Sequence, residues 1–364
     1  MKPKIRDTQK IDFLTDKASR MSDKLKAVIR DSRIIDPEFK EKILKALPEI
    51  VGNQEIEWMK RNKAEIEQYL FNRYKFKIYP KDKILESFPI HLLVEPVSCC
   101  NLKCIMCFQS DKTFASDVKH GFMDIDFFKS IVDQAVKHGC KFLTLASRGE
   151  PTLHPDFKQM LRYCKGKFLE LKINTNATLL NSALAEEILK SGVDLVVFSV
   201  DSSDKDQYES IRKGASFKKV MDNISMFAEM RNENPAYQKT AIRISGVFLK
   251  DGKTKQDKKA FLSFWKEIVD EVTYSDVITR WYSYDIEPLN CKTACNLLWQ
   301  RLYIWHDGIC NPCDFDYKSN LSVGSAKTNT ITDIWTGEKF NKMRKLHLRG
   351  ERKRYLPCDR CSLV

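Results

Sequence analysis

Between residues 91 and 290 the sequence alternates short apolar runs with amphipathic stretches, and this rhythm restricts the fold more than any other feature. Short apolar runs indicate buried strands, and apolar residues at helical spacing indicate helices. Strands are predicted over His91–Glu95, Phe142–Ser147, Leu169–Thr175, Leu195–Val200 and Ala241–Phe248, with a sixth within Glu271–Tyr284. Helices are predicted over Asp126–His138, Pro155–Cys164, Ser182–Ser191, Phe217–Met230 and Lys259–Val269. Six strand–helix repeats predict a parallel α/β sheet that forms a partial (β/α)6 TIM-like barrel, short of the eight repeats of a closed one.

The segments on either side of this repeat have different patterns. Residues 1–88 are predicted as a helical N-terminal extension, with helices over Pro37–Leu47 and Gln54–Tyr74 and a short strand over Tyr74–Ile78 left open. After Thr293 the chain breaks into short strands and turns, which indicates a small cysteine-rich domain. The predicted domains are therefore residues 1–88, 89–290 and 291–364.

Composition narrows the class of protein. The chain has 364 residues, a formal net charge of +13 and twelve cysteines. Its basic residues are interspersed with acidic ones, which is typical of solvated helix faces, so we do not expect a nucleic-acid partner. There is no apolar run of about 18 residues and no export leader at Met1, so no membrane span is expected and a cytoplasmic location is predicted. Cysteines in such a chain indicate metal binding or catalysis and not disulfides.

Three cysteines follow the first predicted strand at a distinctive spacing. Cys100, Cys104 and Cys107 would lie on a loop at the carboxyl end of that strand, where parallel sheets place their active sites. Three thiolates can hold an iron–sulfur cubane and leave one iron without a protein ligand. A structural zinc site would require a fourth ligand, and Cys99, adjacent in sequence to Cys100, is a poor one. Zinc and a purely structural cluster stay open on spacing alone.

The Cx3CxxC motif after the first strand resembles the radical S-adenosylmethionine (SAM) superfamily over roughly residues 89–364. The resemblance implies a [4Fe–4S] cluster held by Cys100, Cys104 and Cys107, with SAM chelating the open iron. It also implies a flavodoxin- or ferredoxin-type reductant. In that family an electron from the cluster cleaves SAM to methionine and a 5′-deoxyadenosyl radical, which removes a substrate hydrogen atom, and the protein selects that hydrogen.

Further positions are similar to the family's cofactor contacts. Ser147–Pro151 resembles the Gly-Gly-Glu-Pro motif, except that Arg148 replaces a glycine and is left open as a substrate contact. The segment Asn174–Asn176 resembles the family's Thr-Asn-Gly, and Arg212 is a candidate partner for the cofactor carboxylate. The resemblance implies cofactor contacts at Met106, Phe108, Gly149, Glu150, Asn174, Ser199, Asp201 and Arg212. Met106 and Phe108 are expected to pack on adenine. No catalytic side chain is assigned.

A second group of cysteines lies near the end of the sequence. Four thiolates, two of them in a CxxC pair, would complete a zinc site or bind every iron of a cubane. The group resembles the twitch domain, a shortened form of the SPASM domain of radical SAM enzymes. That resemblance predicts one auxiliary [4Fe–4S] cluster held by Cys295, Cys313, Cys358 and Cys361. Cys310 and Cys291 are rival ligands, and zinc stays open.

The predicted function is reductive cleavage of SAM and hydrogen abstraction from a substrate, which is then oxidised, epimerised or rearranged. The favoured substrate is a carbohydrate or sugar-nucleotide intermediate, and the alternatives are a ribosomally made peptide or an RNA-binding or RNA-modifying role. Aromatic and acidic residues after the last core strand are expected to shape the pocket: Trp281, Tyr282, Tyr284 and Asp285.

Overall fold

The structure is a computed structural model that describes residues 23–33, 35–114, 120–249, 256–276, 283–284 and 286–361. The chain divides into two compact units after Asp82. The boundary predicted between a core and a terminal domain at residue 290 lies within the second unit and stays a prediction. In the part of the chain that the structure describes, no helix combines the length and apolar character required to span a bilayer.

The first unit is helical, as predicted, over α1 (Pro37–Ile50), α2 (Asn53–Arg61) and α3 (Ile66–Asp82). The Asp36 side chain accepts a hydrogen bond from the backbone N–H of Glu38 and so caps α1. The single helix expected over Gln54–Tyr74 is wrong, because Asn62 leaves the helical conformation between α2 and α3. The short strand considered over Tyr74–Ile78 is also wrong, since these residues continue α3.

The second unit contains a sheet of nine strands among the described residues, with the six core strands in succession and three strands of the cysteine-rich region beside the first of them. The six predicted core strands are present in parallel succession. They are β1 (His91–Val94), β3 (Phe142–Leu145), β4 (Glu170–Thr175), β5 (Leu195–Ser199), β7 (Ala241–Phe248) and β8 (Glu271–Asp276). The partial barrel predicted from the strand–helix rhythm is therefore confirmed. All four residues of β3 are buried, as expected for a strand covered on both faces.

Five helices follow the core strands in the predicted places: α4 (Ile125–Lys137), α5 (Phe157–Cys164), α6 (Ser182–Lys190), α8 (Phe217–Glu233) and α9 (Lys258–Lys266). A further helix after β5, α7 (Lys205–Ile211), was not predicted. The apolar faces of these helices bury side chains such as Ile131, Met160 and Ile188 in one core with the strands. A small two-stranded ribbon, β2 (Lys103–Cys104) with β6 (Arg212–Lys213), joins the front cysteine loop to the end of α7. This ribbon pairs Cys104 directly with Arg212.

The cysteine-rich region extends the core sheet, which the sequence pattern did not indicate. Strand β9 (Arg301–Ile304) runs parallel to β1, with His91 opposite Arg301 and Val94 opposite Ile304. The chain then turns at Gly308 into β10 (Ile309–Asn311), which pairs with β11 (Gly324–Ser325). Two helices follow, α10 (Ile331–Trp335) and α11 (Glu338–Leu348). Pairing with β9 covers the backbone groups that β1 would otherwise expose as an edge strand.

Candidate active site

A cavity of about 590 Å³ opens beside the front cysteine loop and the ends of the core strands. Cys100, Cys104 and Cys107 all line it. Among the cofactor contacts implied by the sequence, the following also line it: Met106, Phe108, Gly149, Glu150, Asn174, Ser199 and Arg212. The structure therefore brings together the front motif and the polar strand ends, as the order of parallel strands requires.

Each front sulfur accepts an N–H donor from the surrounding chain. The backbone N–H of Leu102 lies 3.5 Å from Cys100 Sγ, and the backbone N–H of Gln109 lies 3.5 Å from Cys107 Sγ. Arg212 Nη1 lies 3.9 Å from Cys104 Sγ. Hydrogen bonds and positive charge at the sulfurs stabilise thiolates and tune the potential of a bound cluster.

The chemistry of the three thiols fits an iron–sulfur cluster. Burial raises the pKa of Cys100 to about 11 and that of Cys107 to about 12, so the thiolates require a cation to form, and metal coordination deprotonates a thiol outright. Within the described ranges, no three histidine, cysteine, aspartate or glutamate side chains converge as ligands of a single metal ion.

Gly149 and Glu150 support the conformation of the cysteine loop. A Cβ atom on Gly149 would lie 2.2 Å from the carbonyl oxygen of Val97 and 2.4 Å from that of Cys99, so only glycine fits. Glu150 is 3% exposed, and its carboxylate accepts the Thr175 hydroxyl at 2.6 Å and the Asn176 backbone N–H at 2.7 Å. Burial raises the pKa of Glu150. Since its oxygens are engaged within the protein, Glu150 acts by holding the ends of β3 and β4 together.

Two buried polar atoms on the cavity wall have no protein partner in the described structure. They are Ser147 Oγ and Asn174 Oδ1, and both residues line the cavity. Ser147 has a φ of 141°, a conformation that is costly for a residue with a side chain and that often marks a functional site. Buried polar atoms normally find partners, so these two fit the amino and ribose groups of a bound SAM.

Arg212 and Asp201 form a buried pair beside the cluster loop. Arg212 Nε lies 2.7 Å from Asp201 Oδ2, and the other Asp201 oxygen accepts the backbone N–H of Val247 at 2.8 Å. Asp201 is fully buried and does not line the cavity. A direct cofactor contact from Asp201 therefore does not fit, because both of its oxygens are engaged behind Arg212. Arg212 and Ser199 do reach the cavity surface.

The two residues expected to pack on adenine differ in accessibility. Phe108 is 6% exposed, and its ring stacks on that of Tyr317 with centroids 5.1 Å apart. A second ring, that of Phe114, lies 5.3 Å from Phe108. Both residues line the cavity, but only Met106 is partly exposed there. The structure favours Met106 for adenine packing and gives Phe108 the role of joining the cysteine loop to the terminal region.

Arg148, left open as a substrate contact, is engaged elsewhere. Its Nε and Nη2 atoms each lie 2.7 Å from a different oxygen of the buried Glu95. Nη1 donates to the carbonyl oxygen of Tyr317 at 3.0 Å, and the guanidinium lies 4.4 Å from the centre of the Trp305 ring. With its donors used and only 3% of its surface exposed, the guanidinium does not fit a substrate contact and instead links β1, the loop after β3 and the terminal region.

The four auxiliary ligands predicted from sequence line one small pocket: Cys295, Cys313, Cys358 and Cys361. The pocket encloses about 20 Å³, so the cysteine side chains must rotate outward to admit a cubane. The rival Cys310 is fully buried on β10, where its thiol donates to the carbonyl oxygen of Gly308, and it does not reach this pocket. Neither does Cys291. The structure favours the predicted set.

Two buried basic residues border this rear pocket. Arg352 is 1% exposed and donates to the carbonyl oxygen of Cys358 at 2.9 Å and to Cys291 Sγ at 3.3 Å, with no carboxylate within ion-pair distance in the described structure. A buried cation is costly without an opposite charge, so an anionic four-thiolate cluster fits this site. His347 accepts the backbone N–H of Cys295 on Nδ1, and burial with the nearby Arg352 lowers the pKa of His347 to about 4.

Sequence reasoning missed the residues deep in the cavity. His91, Lys172 and Arg301 line its inner part, each on a different strand of the barrel. The alternation of polar and apolar residues along β4 carries the signal, because Glu170, Lys172 and Asn174 are its partly exposed positions. Of the pocket residues expected after the last core strand, Tyr284 donates to the buried Asp316, while Trp281, Tyr282 and Asp285 lie outside the described residues.

The fold and the two cysteine sites together define an iron–sulfur enzyme built on a partial barrel. Two family models match the chain, the radical SAM superfamily over residues 94–249 and SPASM, an iron–sulfur cluster-binding domain, over residues 295–362. The chain belongs to the radical SAM superfamily and carries a SPASM domain at its C-terminal end. It is therefore an enzyme that uses SAM, a [4Fe–4S] cluster and auxiliary iron–sulfur chemistry, as predicted.

Sequence relatives include several kinds of protein. The tungsten-containing aldehyde ferredoxin oxidoreductase cofactor-modifying protein of Pyrococcus furiosus is 27% identical over 325 residues, with 75% of this chain and 87% of the relative covered. The GTP 3′,8-cyclase of Listeria welshimeri is 26% identical over 230 residues, and 62% of each chain is covered. A probable GTP 3′,8-cyclase of Methanococcus maripaludis is 29% identical over 133 residues, with 36% of this chain and 43% of the relative covered. The chain thus spans less than two thirds of the length of these two cyclases.

Solved structures share the fold at low sequence identity. BtrN in complex with AdoMet and 2-DOIA has a TM-score of 0.52 at 19% identity, with 75% of this chain and 93% of that chain covered. Streptococcus suis SuiB bound to precursor peptide SuiA has a TM-score of 0.52 at 19% identity, covering 77% and 72%. The enzyme anSMEcpe with bound AdoMet has a TM-score of 0.54 at 18% identity, covering 73% and 83%. These likenesses establish the fold alone.

Proposed function

We propose that this enzyme removes a hydrogen atom from a small, hydroxyl-rich metabolite of the carbohydrate or sugar-nucleotide class, which it then oxidises, epimerises or rearranges. The observation that carries this proposal is the polar lining of the cavity. Four short hydroxyl side chains project from different strands into it: Thr144, Ser199, Ser245 and Ser275. Sites that bind polar ligands place a few hydroxyl and amide groups at the points where ligand groups require partners.

The chain's own residues would divide the work between cofactor binding and substrate orientation. When bound, the cluster and SAM supply a 5′-deoxyadenosyl radical that removes the substrate hydrogen. Cys100, Cys104 and Cys107 would hold the cluster, with Arg212 as the nearby positive charge. Asn174 and Ser147 offer unpartnered oxygen atoms to the cofactor. The four hydroxyl side chains on the strands would orient the substrate and keep water away from the radical.

We also propose that residues 291–364 form a domain for one auxiliary cluster, and that this cluster serves the oxidation as an electron acceptor. Within the described chain, four cysteines meet at the rear pocket, enough to ligate every iron of a cubane. A fully ligated cluster has no open iron for SAM, which suits electron transfer. A flavodoxin- or ferredoxin-type protein is the proposed reductant for the front cluster.

The test is anaerobic reconstitution with iron and sulfide, followed by incubation with SAM and a reductant, either dithionite or reduced flavodoxin. We expect 5′-deoxyadenosine, and we expect its formation to rise when a deuterium-labelled sugar or sugar nucleotide is the substrate, with deuterium appearing in the product. The Cys104→Ala variant is the matched control and should give none. Failure of fully reconstituted protein to form 5′-deoxyadenosine would rule out the proposed chemistry.

A ribosomally made peptide is the second candidate, because SuiB bound to precursor peptide SuiA shares the fold over 77% of this chain. The same isotope experiment separates the candidates. Deuterium transfer from a labelled peptide, with none from the labelled sugars, would replace the carbohydrate proposal with a peptide-modifying one.

A further inference from the structure

Lys172 lies deep in the active-site cavity on β4. Along this strand the side chains of Leu171 and Ile173 are buried in the apolar core, while Lys172 and Asn174 line the cavity. Lys172 is two residues nearer the amino end of the strand than Asn174, which places it roughly 7 Å deeper. It is therefore on the side of the cavity away from the cysteine loop, beyond the groups that fit the cofactor.

The Lys172 side chain is half-buried on the cavity wall, and its amine has no hydrogen-bond or ion-pair partner in the described structure. The pKa of Lys172 is lowered to about 8, mainly by burial and also by the nearby Arg243 and Arg301, against the opposing effect of Glu170 and Glu271. Arg243 is itself neutralised by Glu271, with Nε and Oε2 2.7 Å apart. Glu271 is thus paired with Arg243 and not with Lys172.

A second cation reaches the same space from the cysteine-rich region. Arg301 lines the cavity from β9, opposite His91 of the neighbouring β1. The acidic side chains that also line the cavity are Asp314, which accepts a hydrogen bond from the Tyr303 hydroxyl at 3.4 Å, and Glu150, whose oxygens are engaged at the other end of the strands. Arg301 also donates a hydrogen bond from Nε to the neutral Gln300 Oε1 at 2.7 Å. The inner part of the cavity therefore carries two cationic side chains, those of Lys172 and Arg301.

We propose that Lys172 and Arg301 bind an anionic group of the substrate, a phosphoryl or a carboxylate group, and so present the rest of the substrate toward the cluster loop. The inference deepens the proposed function, on which it rests, by adding a charged anchor to a hydroxyl-rich substrate. Lysine suits a phosphate or carboxylate as a compact point charge, and Arg301, whose Nε and Nη2 donate to Gln300 Oε1, adds a second positive charge. The cofactor's own carboxylate is an unsuitable occupant, because a cluster held by the cysteine loop would bind it at the opposite end of the strands.

The test is chemical protection of the Lys172 amine in the reconstituted enzyme with SAM bound. Reductive methylation by formaldehyde, with dimethylamine–borane as the hydride donor, is quantified at Lys172 by peptide mass spectrometry in the presence of glucose 1-phosphate, glucuronate or glucose. We expect at least a fivefold slower labelling of Lys172 with one or both anionic sugars, and no change with glucose. Comparing the phosphorylated and carboxylated sugars identifies which anion the site selects.

Two internal controls make the result decisive. Lys190, an exposed lysine paired with Glu186 on α6, should label equally under all conditions. The Arg301→Met variant should require at least a fivefold higher concentration of the protecting sugar. Equal labelling of Lys172 with all three sugars at saturating concentration would overturn the inference. Because 5′-deoxyadenosine formation is measured on the same preparation, loss of that product with retained protection would instead contradict the proposed function.

Discussion

Arg148, in the loop after β3, donates two parallel hydrogen bonds of 2.7 Å to the carboxylate of Glu95 at the end of β1. The same guanidinium reaches the carbonyl oxygen of Tyr317, and His306 Nδ1 lies 3.1 Å from the other side of the Glu95 carboxylate. Four parts of the chain that are distant in sequence thus meet at one buried ion pair. Burial raises the pKa of Glu95, but Arg148 and the hydrogen bonds more than offset this, and the pKa is lowered overall.

Replacing Arg148 with alanine should destabilise the second unit strongly. Glu95 would keep a buried charge without its partner, which typically costs about 3–5 kcal/mol, and the midpoint of thermal unfolding should fall by roughly 10 °C. The measurement is thermal denaturation followed by circular dichroism. The Lys218→Ala variant, which breaks an exposed pair with Asp222, is the control and should leave the midpoint unchanged. Equal midpoints for the two variants would contradict a structural role for Arg148.

Substituting Gly149 with alanine should disturb the front cluster specifically. The new Cβ would lie within 2.5 Å of two backbone oxygens of the cysteine loop, so the loop must shift. We expect at least a tenfold loss of SAM cleavage and a weakened effect of SAM on the electron paramagnetic resonance signal of the reduced cluster. Gly192→Ala is the matched control, because Gly192 has a φ of 67° with no atom near the added Cβ. It should cost about 1 kcal/mol of stability from strain and leave the cluster unaffected.

The parts of the fold that the sequence predicts are those set by local pattern. Core strands and their helices follow from the period of apolar residues, and β7 coincides with its prediction at Ala241–Phe248. The break at Asn62 between α2 and α3 was missed, because apolar residues near helical spacing continue on both sides of it. The cysteine sites could be predicted from the sequence because thiolate chemistry dictates ligand spacing.

The parts that were missed depend on contacts between distant segments. Glu95 and Arg148 follow neighbouring parallel strands. Nothing in the local sequence shows that both side chains are buried, or that the Arg148 guanidinium pairs with Glu95 and is therefore not free to bind substrate. The role of Lys172 could be inferred only from the structure, in which β9 places Arg301 on the wall of the same cavity. Asp201 lies at a strand end that matches a family pattern, but it is paired with Arg212, which follows α7 and separates it from the cavity.

The choice of rear ligands can be tested by single substitutions. Cys358→Ala and Cys361→Ala should lower the iron content from about eight to about four atoms per chain, the content of one cubane. Cleavage of SAM should survive, because the front cluster does not use these cysteines. Cys310→Ser and Cys291→Ser, the controls drawn from the rival ligands, should retain full iron. Loss of iron in either serine variant would reassign the ligand set.

Asp194 should give the enzyme's stability a dependence on pH. Its carboxylate accepts the backbone N–H of Leu171 at 2.9 Å while being 2% exposed, and burial raises the pKa of Asp194 to about 7. The folded protein then holds this proton more tightly than the unfolded chain, so the contribution is full below about pH 4 and is lost as the pH rises to 7. Asp194→Asn should remove this loss, raising the urea midpoint relative to the parent at pH 8 and not at pH 4.5. A constant difference across this range would contradict the shifted pKa.

Arg352 should raise the reduction potential of the auxiliary cluster. A buried positive charge beside the four-thiolate pocket opposes the negative charge gained on reduction, so Arg352→Gln should lower the potential, as seen by electron paramagnetic resonance in a redox titration. The potential of the front cluster should stay the same, since the cavity that it faces does not include Arg352. Arg354→Gln removes an exposed arginine paired with Glu351, three residues earlier in the sequence, and it should change neither potential. An unchanged auxiliary potential in Arg352→Gln, with iron content retained, would contradict this prediction. It would show that the Arg352 guanidinium interacts only with the nearby carbonyl groups and the Cys291 thiol, and not with the charge of the cluster.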